Sequence, residues 1–281
     1  MSVLTGYLGP HVTRTVHVGR FRRISLDGIG SVRVIPSQEE SVEIRAPEKL
    51  VDRIEVLVEG ETLRIGFERN VSLHSVGKLE IEYIVRAKQL CGLSLNGAGR
   101  IECPRIEGES MRISIDGAGR AAIEEMEGQD ARFSIDGAGK VRVDRMRLRN
   151  CDLSIDGAGK VETGRMEIQD LRIRVDGAGR VDADSVNARE IDARIDGAGS
   201  VRAAGTSETV SIDINGMGKV RMEDLQVRAA SVDIDGSGKV ELTPTESLDV
   251  TIDGFGKVAY HGKPTINVRR GGFGKVVRLD D

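Results

Sequence analysis

The sequence predicts an all-β protein: a right-handed parallel β-helix of about ten coils of 18–20 residues, with an N-terminal β-strand segment capping one end. Three observations lead there. A glycine tetrad recurs every 18–20 residues, apolar and polar columns alternate on both sides of it, and so short a repeat has no room for a crossover helix.

The tetrad reads Asp or Asn, Gly, any residue, Gly. Copies begin at Asn96, Asp116, Asp136, Asp156, Asp176, Asp196, Asn215, Asp235 and Asp253, with a degenerate one at Gly271, in steps of 20, 20, 20, 20, 20, 19, 20, 18 and 18 residues. A further copy, Asp27-Gly28-Ile29-Gly30, stands alone near the start.

One place before the tetrad stand Leu95, Ile115, Ile135, Ile155, Val175, Ile195, Ile214, Ile234 and Ile252. Three places before it stand Ile113, Phe133, Leu153, Ile173, Ala193, Ile212, Val232 and Val250, with a polar column between. This period of two is that of a strand with one buried face. A second short strand follows the tetrad, where Ile101, Ala121, Val141, Val161, Val181, Val201, Val220, Val240, Val258 and Val276 form a column that is apolar in all ten copies. A third begins at Ile106, Met126, Met146, Met166, Val186 and Leu225. Each repeat therefore holds three short strands separated by turns. One copy cannot bury its own apolar face, so like must stack on like, each strand pairing in parallel with its equivalent. Right-handedness follows from the preference of parallel connections, and nine steps at roughly 4.8 Å make a rod on the order of 40 Å long. Leucine-rich repeats and β-propellers are excluded, because their Leu and Trp-Asp frames are missing and the chain has no Trp.

Residues 1–90 form the expected capping segment and 91–281 the repeats. Strands are predicted around Val16-x-Val18, Ile24-x-Leu26, Val32-x-Val34, Val42-x-Ile44, Ile54-x-Val56-x-Val58, Leu63-x-Ile65 and Leu79-x-Ile81. Turns fall near Pro36, Pro47 and Gly60-Glu61, and Glu48–Arg53 suits a helical turn. Without such a cover the first coil would expose an unpaired edge.

Alternating strands followed by Asn96-Gly97-Ala98-Gly99 and a ladder of Asp-Gly-Ala-Gly copies resemble the putative auto-transporter adhesin head GIN domain family over roughly residues 12–281. The resemblance implies a β-helix, an association with bacterial or archaeal envelopes, and no catalytic residues to carry over. As the chain is written, no apolar run of signal-peptide or membrane-spanning length occurs, so the residues alone suggest the cytoplasm and no membrane insertion.

Composition narrows the function further. Lys and Arg number 41 against 45 Asp and Glu, so a net charge of −4 gives no global attraction for nucleic acid. The tetrad carboxylates suggest calcium, as in Gly- and Asp-rich nonapeptide repeats, but each turn supplies only one and Asn96 and Asn215 replace it; turn capping through backbone N–H groups is the expected role. A basic column four residues on (Arg100, Arg120, Lys140, Lys160, Arg180, Lys219, Lys239, Lys257, Lys275) is expected to neutralise them, the alternative being an anion-binding stripe. A nucleotide loop would need a helix that the repeat lacks. Cys91, Cys103 and Cys151 share columns with apolar residues and read as reduced core thiols. His11, His17, His74 and His261 have neither zinc spacing nor a common column. No catalytic, cofactor-binding or metal residue is nominated and no cofactor is expected. The expectation is a non-enzymatic, adhesin-like structural or interaction protein that binds protein or cell-surface polymer; the alternatives are a β-helix polysaccharide-active enzyme or an ion- or anion-binding module. Self-association is expected through the C-terminal coils, where the residue inside the tetrad changes from Ala to Met217, Ser237, Phe255 and Phe273, with Tyr260 nearby. The competing expectation is that Phe273 and Val276–Leu279 fold over the core as a cap.

Overall fold

A computed structural model of the protein describes residues 2–3, 8–68, 71–72 and 79–279. The described residues are almost wholly β and wind into a solenoid of about nine turns, close to the ten coils expected. After the short β1 (Ser2–Val3) come β2 (His11–His17), β3 (Arg23–Gly28), β4 (Ser31–Pro36), β5 (Ser41–Pro47), the helical turn α1 (Glu48–Val51), β6 (Ile54–Glu59), β7 (Thr62–Phe67), β8 (Val71–Ser72) and β9 (Glu82–Ala87). The repeats follow as β10 (Gly92–Gly97), β11 (Arg100–Gly117), β12 (Arg120–Gly137), β13 (Lys140–Gly157), β14 (Lys160–Gly177), β15 (Arg180–Gly197), β16 (Ser200–Gly216), β17 (Lys219–Gly236), β18 (Lys239–Gly254), β19 (Lys257–Tyr260), β20 (Thr265–Arg270) and β21 (Lys275–Arg278).

Each full coil is one long bent strand rather than three strands separated by turns. The three expected segments survive as faces: pairing between β11 and β12 skips only Pro104 opposite Glu124 and Glu109 opposite Gln129 before the tetrad is reached. A corner of one residue redirects the chain, so no loop intervenes. The shorter repeats adjust at these corners, between Ala183 and Val186 in the β15–β16 register, and in β17–β18 both between Met222 and Gln226 and between Val227 and Ala229. The tetrads therefore stay aligned, Asp196 beside Asn215 and Asp235 beside Asp253.

The columns read from the sequence are the core. The valine column is buried from Ile101 to Val258, as are the columns one and three places before the tetrad, and Phe133 fills the widest place in the latter. Cys103 and Cys151 are buried among them and unbridged; burial pushes the Cys103 thiol up to about 12 and Cys151 likewise upward, which keeps both as unreactive thiols.

The lone N-terminal tetrad is the first rung. β3 pairs in parallel with β10, setting Asp27 beside Asn96 and Gly28 beside Gly97, and β4 pairs with the start of β11. Beneath them lie β7 and β9, which change the sheet to antiparallel pairing with β6 and β5, and β5 pairs in turn with β2. The first coil thus presents no open edge on this side. The strand expected at Leu79–Ile81 lies slightly later, at Glu82–Ala87, because the ladder with β4 begins at Ser31 opposite Glu82 and buries Tyr83 and Val85.

At the other end β20 stacks on β18 and β21 on β19, so the chain continues the coil to Arg278. Phe273 does not fold over the core; it is exposed, and Val276 is half-buried. Two inward columns end in charge: Arg270 stands beside Ile252 and Arg278 beside Tyr260.

Stacking predicts sharply different costs for neighbouring residues. Val161→Asp, which places an unpaired charge in a fully buried column, is expected to cost ~3–5 kcal/mol or to prevent folding. Lys160→Ala, one residue away and facing out, should cost under about 1 kcal/mol. Thermal melts of the two variants check this, and equal melting temperatures would overturn the assignment of faces.

Candidate interaction surface

The tetrad corner shows which positions serve packing and which are free. The first glycine has positive φ from Gly28 to Gly254, as at Gly177 (+110°), and a Cβ there would lie 2.8 Å from the carbonyl oxygen of Gly157 in the preceding coil. The second glycine leaves room for an apolar neighbour: a Cβ on Gly139 would lie 2.5 Å from Ile115 Cγ2. Backbone bonds hold the corner from coil to coil, for example Ala138 N to Gly117 O at 2.9 Å and Lys140 N to Gly119 O at 2.9 Å. The residue between the glycines points outward and packs against nothing in the core. Ala98 to Ala198 are exposed there, and then come Met217, Phe255 and Phe273, exposed at 69%, 71% and 80%. The two phenylalanine rings stack on each other, 5.6 Å apart and inclined by 17°. Tyr260, grouped with them in the sequence, is instead buried at the end of β19.

The tetrad carboxylates do not cap the turns. Among the described residues none of them hydrogen-bonds to backbone; the polar contacts in this column run sideways, as from Asn96 Nδ2 to Asp27 Oδ1 at 2.5 Å. Backbone-to-backbone bonding already satisfies the corner, so the side chains turn outward. Nor does the basic column neutralise them. The corner puts it on the next face, where Lys140 and Lys160 both bind Glu162 at 2.7 Å and Lys160 also reaches Asp182 at 2.9 Å. Those two lysines hold the Glu162 carboxyl below its usual range.

Ion pairs between coils cover the middle of the rod. Arg145 reaches Glu125 at 2.8 Å, Arg147 reaches Glu167 at 3.2 Å, and Arg105 bridges Glu107 and Glu127. Farther along, the basic column loses its partners. Lys219, Lys239, Lys257 and Lys275 stand in register, exposed, and none forms an ion pair among the described residues. Across the corner, Asp233 is pushed above the ordinary carboxylate range by partial burial and by the neighbouring Asp213, Asp253 and Asp235. The sequence pairs the basic column with the tetrad acids, such as Asp235 and Asp253, and gives no partner role to Asp213 and Asp233 two places before the tetrad. Counting the charges face by face would have found them.

Comparison with known proteins agrees with this geometry. The family model of the putative auto-transporter adhesin, head GIN domain, matches residues 20–183 and 152–264. The chain belongs to this family. Comparison with curated proteins gives no match. Among solved structures, a putative adhesin from Parabacteroides distasonis shares the fold with a TM-score of 0.61 and 16% identity, over 96% of this chain and 98% of the other. A putative adhesin from Parabacteroides merdae gives 0.57 and 17% over the whole of both chains. A putative lipid binding protein from P. distasonis gives 0.54 and 19%, over 99% and 100%.

The rest of this GIN-domain chain shows little convergence of reactive groups. Among the described residues no three His, Cys, Asp or Glu side chains are placed to hold a metal. His11 bonds the backbone oxygen of Glu80 at 3.0 Å, His17 is exposed at the end of β2, His261 follows β19, and His74 lies outside the described residues. The concavities are shallow and open. One, along the face bearing Glu162, is lined by Arg142, Asp144, Asp182, Asp184 and Arg202, and three of its acids are met by cations: Asp144 by Arg142 at 2.8 Å, and Glu162 and Asp182 by Lys160.

Glu162 and Asp233, shifted in opposite directions, predict opposite pH effects. Glu162 has a folded-state pKa below its unfolded value, so its stabilisation is present above the carboxylate range and lost as pH falls through it. Glu162→Gln should lower the melting temperature at pH 7, the gap closing toward pH 3. Asp233 is raised, so it stabilises only below that range. Asp233→Asn should leave the melting temperature unchanged or higher at pH 7, with the advantage shrinking on acidification. Melts across this pH series check both signs.

Proposed function

We propose that this chain is a non-enzymatic, adhesin-like module of the cell envelope that uses the long faces of its β-helix to bind protein or cell-surface polymer. The observation that carries this reading is the uniform coil. Repeat lengths vary by only two residues, and that variation is absorbed at the corners between tetrads, so successive coils set exposed charged side chains in register along the rod without building an enclosed site. Extended polar ladders suit an extended partner, bound through many weak contacts rather than one pocket. Membership of the adhesin head family supports the envelope setting, and among the described residues no helix is long and apolar enough to cross a membrane. The polysaccharide-active reading is less well supported: in its hydrolytic form it requires a carboxyl held protonated beside an ionised one, whereas Glu162, in the concavity of this face, is held ionised by two lysines.

Binding to isolated cell envelopes, untreated or treated with protease or with periodate, tests the reading. Saturable binding abolished by one treatment identifies protein or glycan as the partner, and reversing Arg145 and Arg165, exposed and side by side on successive coils, to Glu should weaken it. Equal retention by envelopes and by bare beads, or release of reducing ends from an acidic polysaccharide panel, would overturn the proposal.

Association of two copies through the C-terminal coils is a second reading, supported by the exposed Phe255 and Phe273. It predicts a dimer in sedimentation at high salt that Phe255→Ser with Phe273→Ser abolishes. A monomer at every salt and protein concentration would remove it.

A further inference from the structure

The C-terminal end of the rod breaks the charge pattern of the rest. From 254 to 279 the chain carries six cations, Lys257, Lys263, Arg269, Arg270, Lys275 and Arg278, and no Asp or Glu. All six are exposed, and none forms an ion pair among the described residues. The coil behind it, 235–253, carries Asp235, Glu241, Glu246, Asp249 and Asp253 against a single Lys239, so the cations are gathered at the very tip. Asp280 and Asp281 follow the tip and lie outside the described residues.

Apolar side chains stand exposed at the same place. Phe255 and Phe273 project from the corner, and Ile266 and Val277 are exposed on the last two strands. The corner position asks for nothing larger than the Ala or Ser found at Ala198 and Ser237, so packing does not account for the phenylalanines. An unneutralised ladder of like charge beside exposed aromatic rings is unfavourable for folding, and local rules are broken in this way where a surface serves a partner.

We propose that the C-terminal tip docks end-on against an anionic lipid surface, Phe255 and Phe273 entering the interface while the surrounding lysines and arginines meet the lipid phosphates. This is a separate surface from the charge-laddered faces and does not rest on their partner. Juxtaposed cations and aromatic rings have the two affinities such an interface requires, Coulomb attraction to the headgroups and apolar burial below them. The acidic coil behind would be repelled by the same surface and so turns the long faces away from it, which leaves contact to the tip.

Other occupants fit less well. A second copy stacked on the end would set six cations against six, and the inward positions it would have to cover are Arg270 and Arg278, charges that blunt an open edge. A soluble polyanion would use the cations but gives the protruding rings no role, and each ring already has one face against its neighbour.

Flotation of the full chain with vesicles tests the proposal. Phosphatidylcholine containing one part in four of phosphatidylglycerol should bind it saturably, about tenfold or more tightly than phosphatidylcholine alone, with loss at high salt. Phe255→Ser with Phe273→Ser, serine being native to this column at Ser237, should weaken binding about tenfold without lowering the melting temperature. Lys257→Gln with Lys275→Gln should weaken it comparably. No binding, or equal binding to both vesicles, overturns the proposal. So does binding that the phenylalanine substitutions leave unchanged and heparin fully competes, which would mark a polyanion surface without insertion. A concentration-dependent dimer lost in the phenylalanine variant, with no vesicle binding, would assign the tip to a second copy instead.

Discussion

The backbone of one coil touches the backbone of the next at the tetrad corner, where a glycine carbonyl lies 2.4–2.9 Å from the place a Cβ would occupy on the glycine above it. No side chain fits there, and φ is positive, so both demands fall on the same residue. That contact sets the register from Asp27 beside Asn96 to Asp235 beside Asp253, and register makes columns. Apolar columns close the core and polar ones become ladders. Even the 19- and 18-residue repeats keep the corner and give up residues elsewhere.

Stacking like on like has an electrostatic consequence. A charged residue repeated every coil meets its own kind at strand spacing, and the repulsion must be offset or tolerated. Along the middle of the rod it is offset, because the charge changes sign from coil to coil within a column, as at Glu125 beside Arg145 and Arg147 beside Glu167, and long side chains reach across to the next column, as Lys160 does to Glu162 and Asp182. Toward the C-terminus the lysine ladder and the aspartates around Asp233 lie on opposite sides of a corner and do not meet. The surface therefore changes from a neutral mosaic to separated stripes without any change in backbone.

The two ends solve the edge problem differently. At the start, β7 and β9 convert the parallel ladder into antiparallel pairing and cover the first rung with a second layer of strands. At the finish there is no such layer among the described residues. The coil continues to Arg278, and its inward positions become arginine, which makes further stacking unfavourable.

What the sequence by itself determined is the repeat: the tetrad spacing, the inward columns, the three faces of each coil and the fate of the cysteines, because each depends on residue type at fixed intervals along the chain. Legible in principle, but read without its structural meaning, was the lone tetrad at Asp27, whose stacking on Asn96 joins residues 69 positions apart. Which charges pair was beyond the sequence. Asp and Lys four residues apart look like partners until the corner turns one away, and Glu162, beside Lys160 on its own strand, gains Lys140 from the preceding coil through the tertiary register alone. The tertiary structure also decided that Tyr260 is core while Phe255 and Phe273 are surface. Direction relative to the solenoid axis is set by stacking, and no local pattern of residues in a single coil contains it.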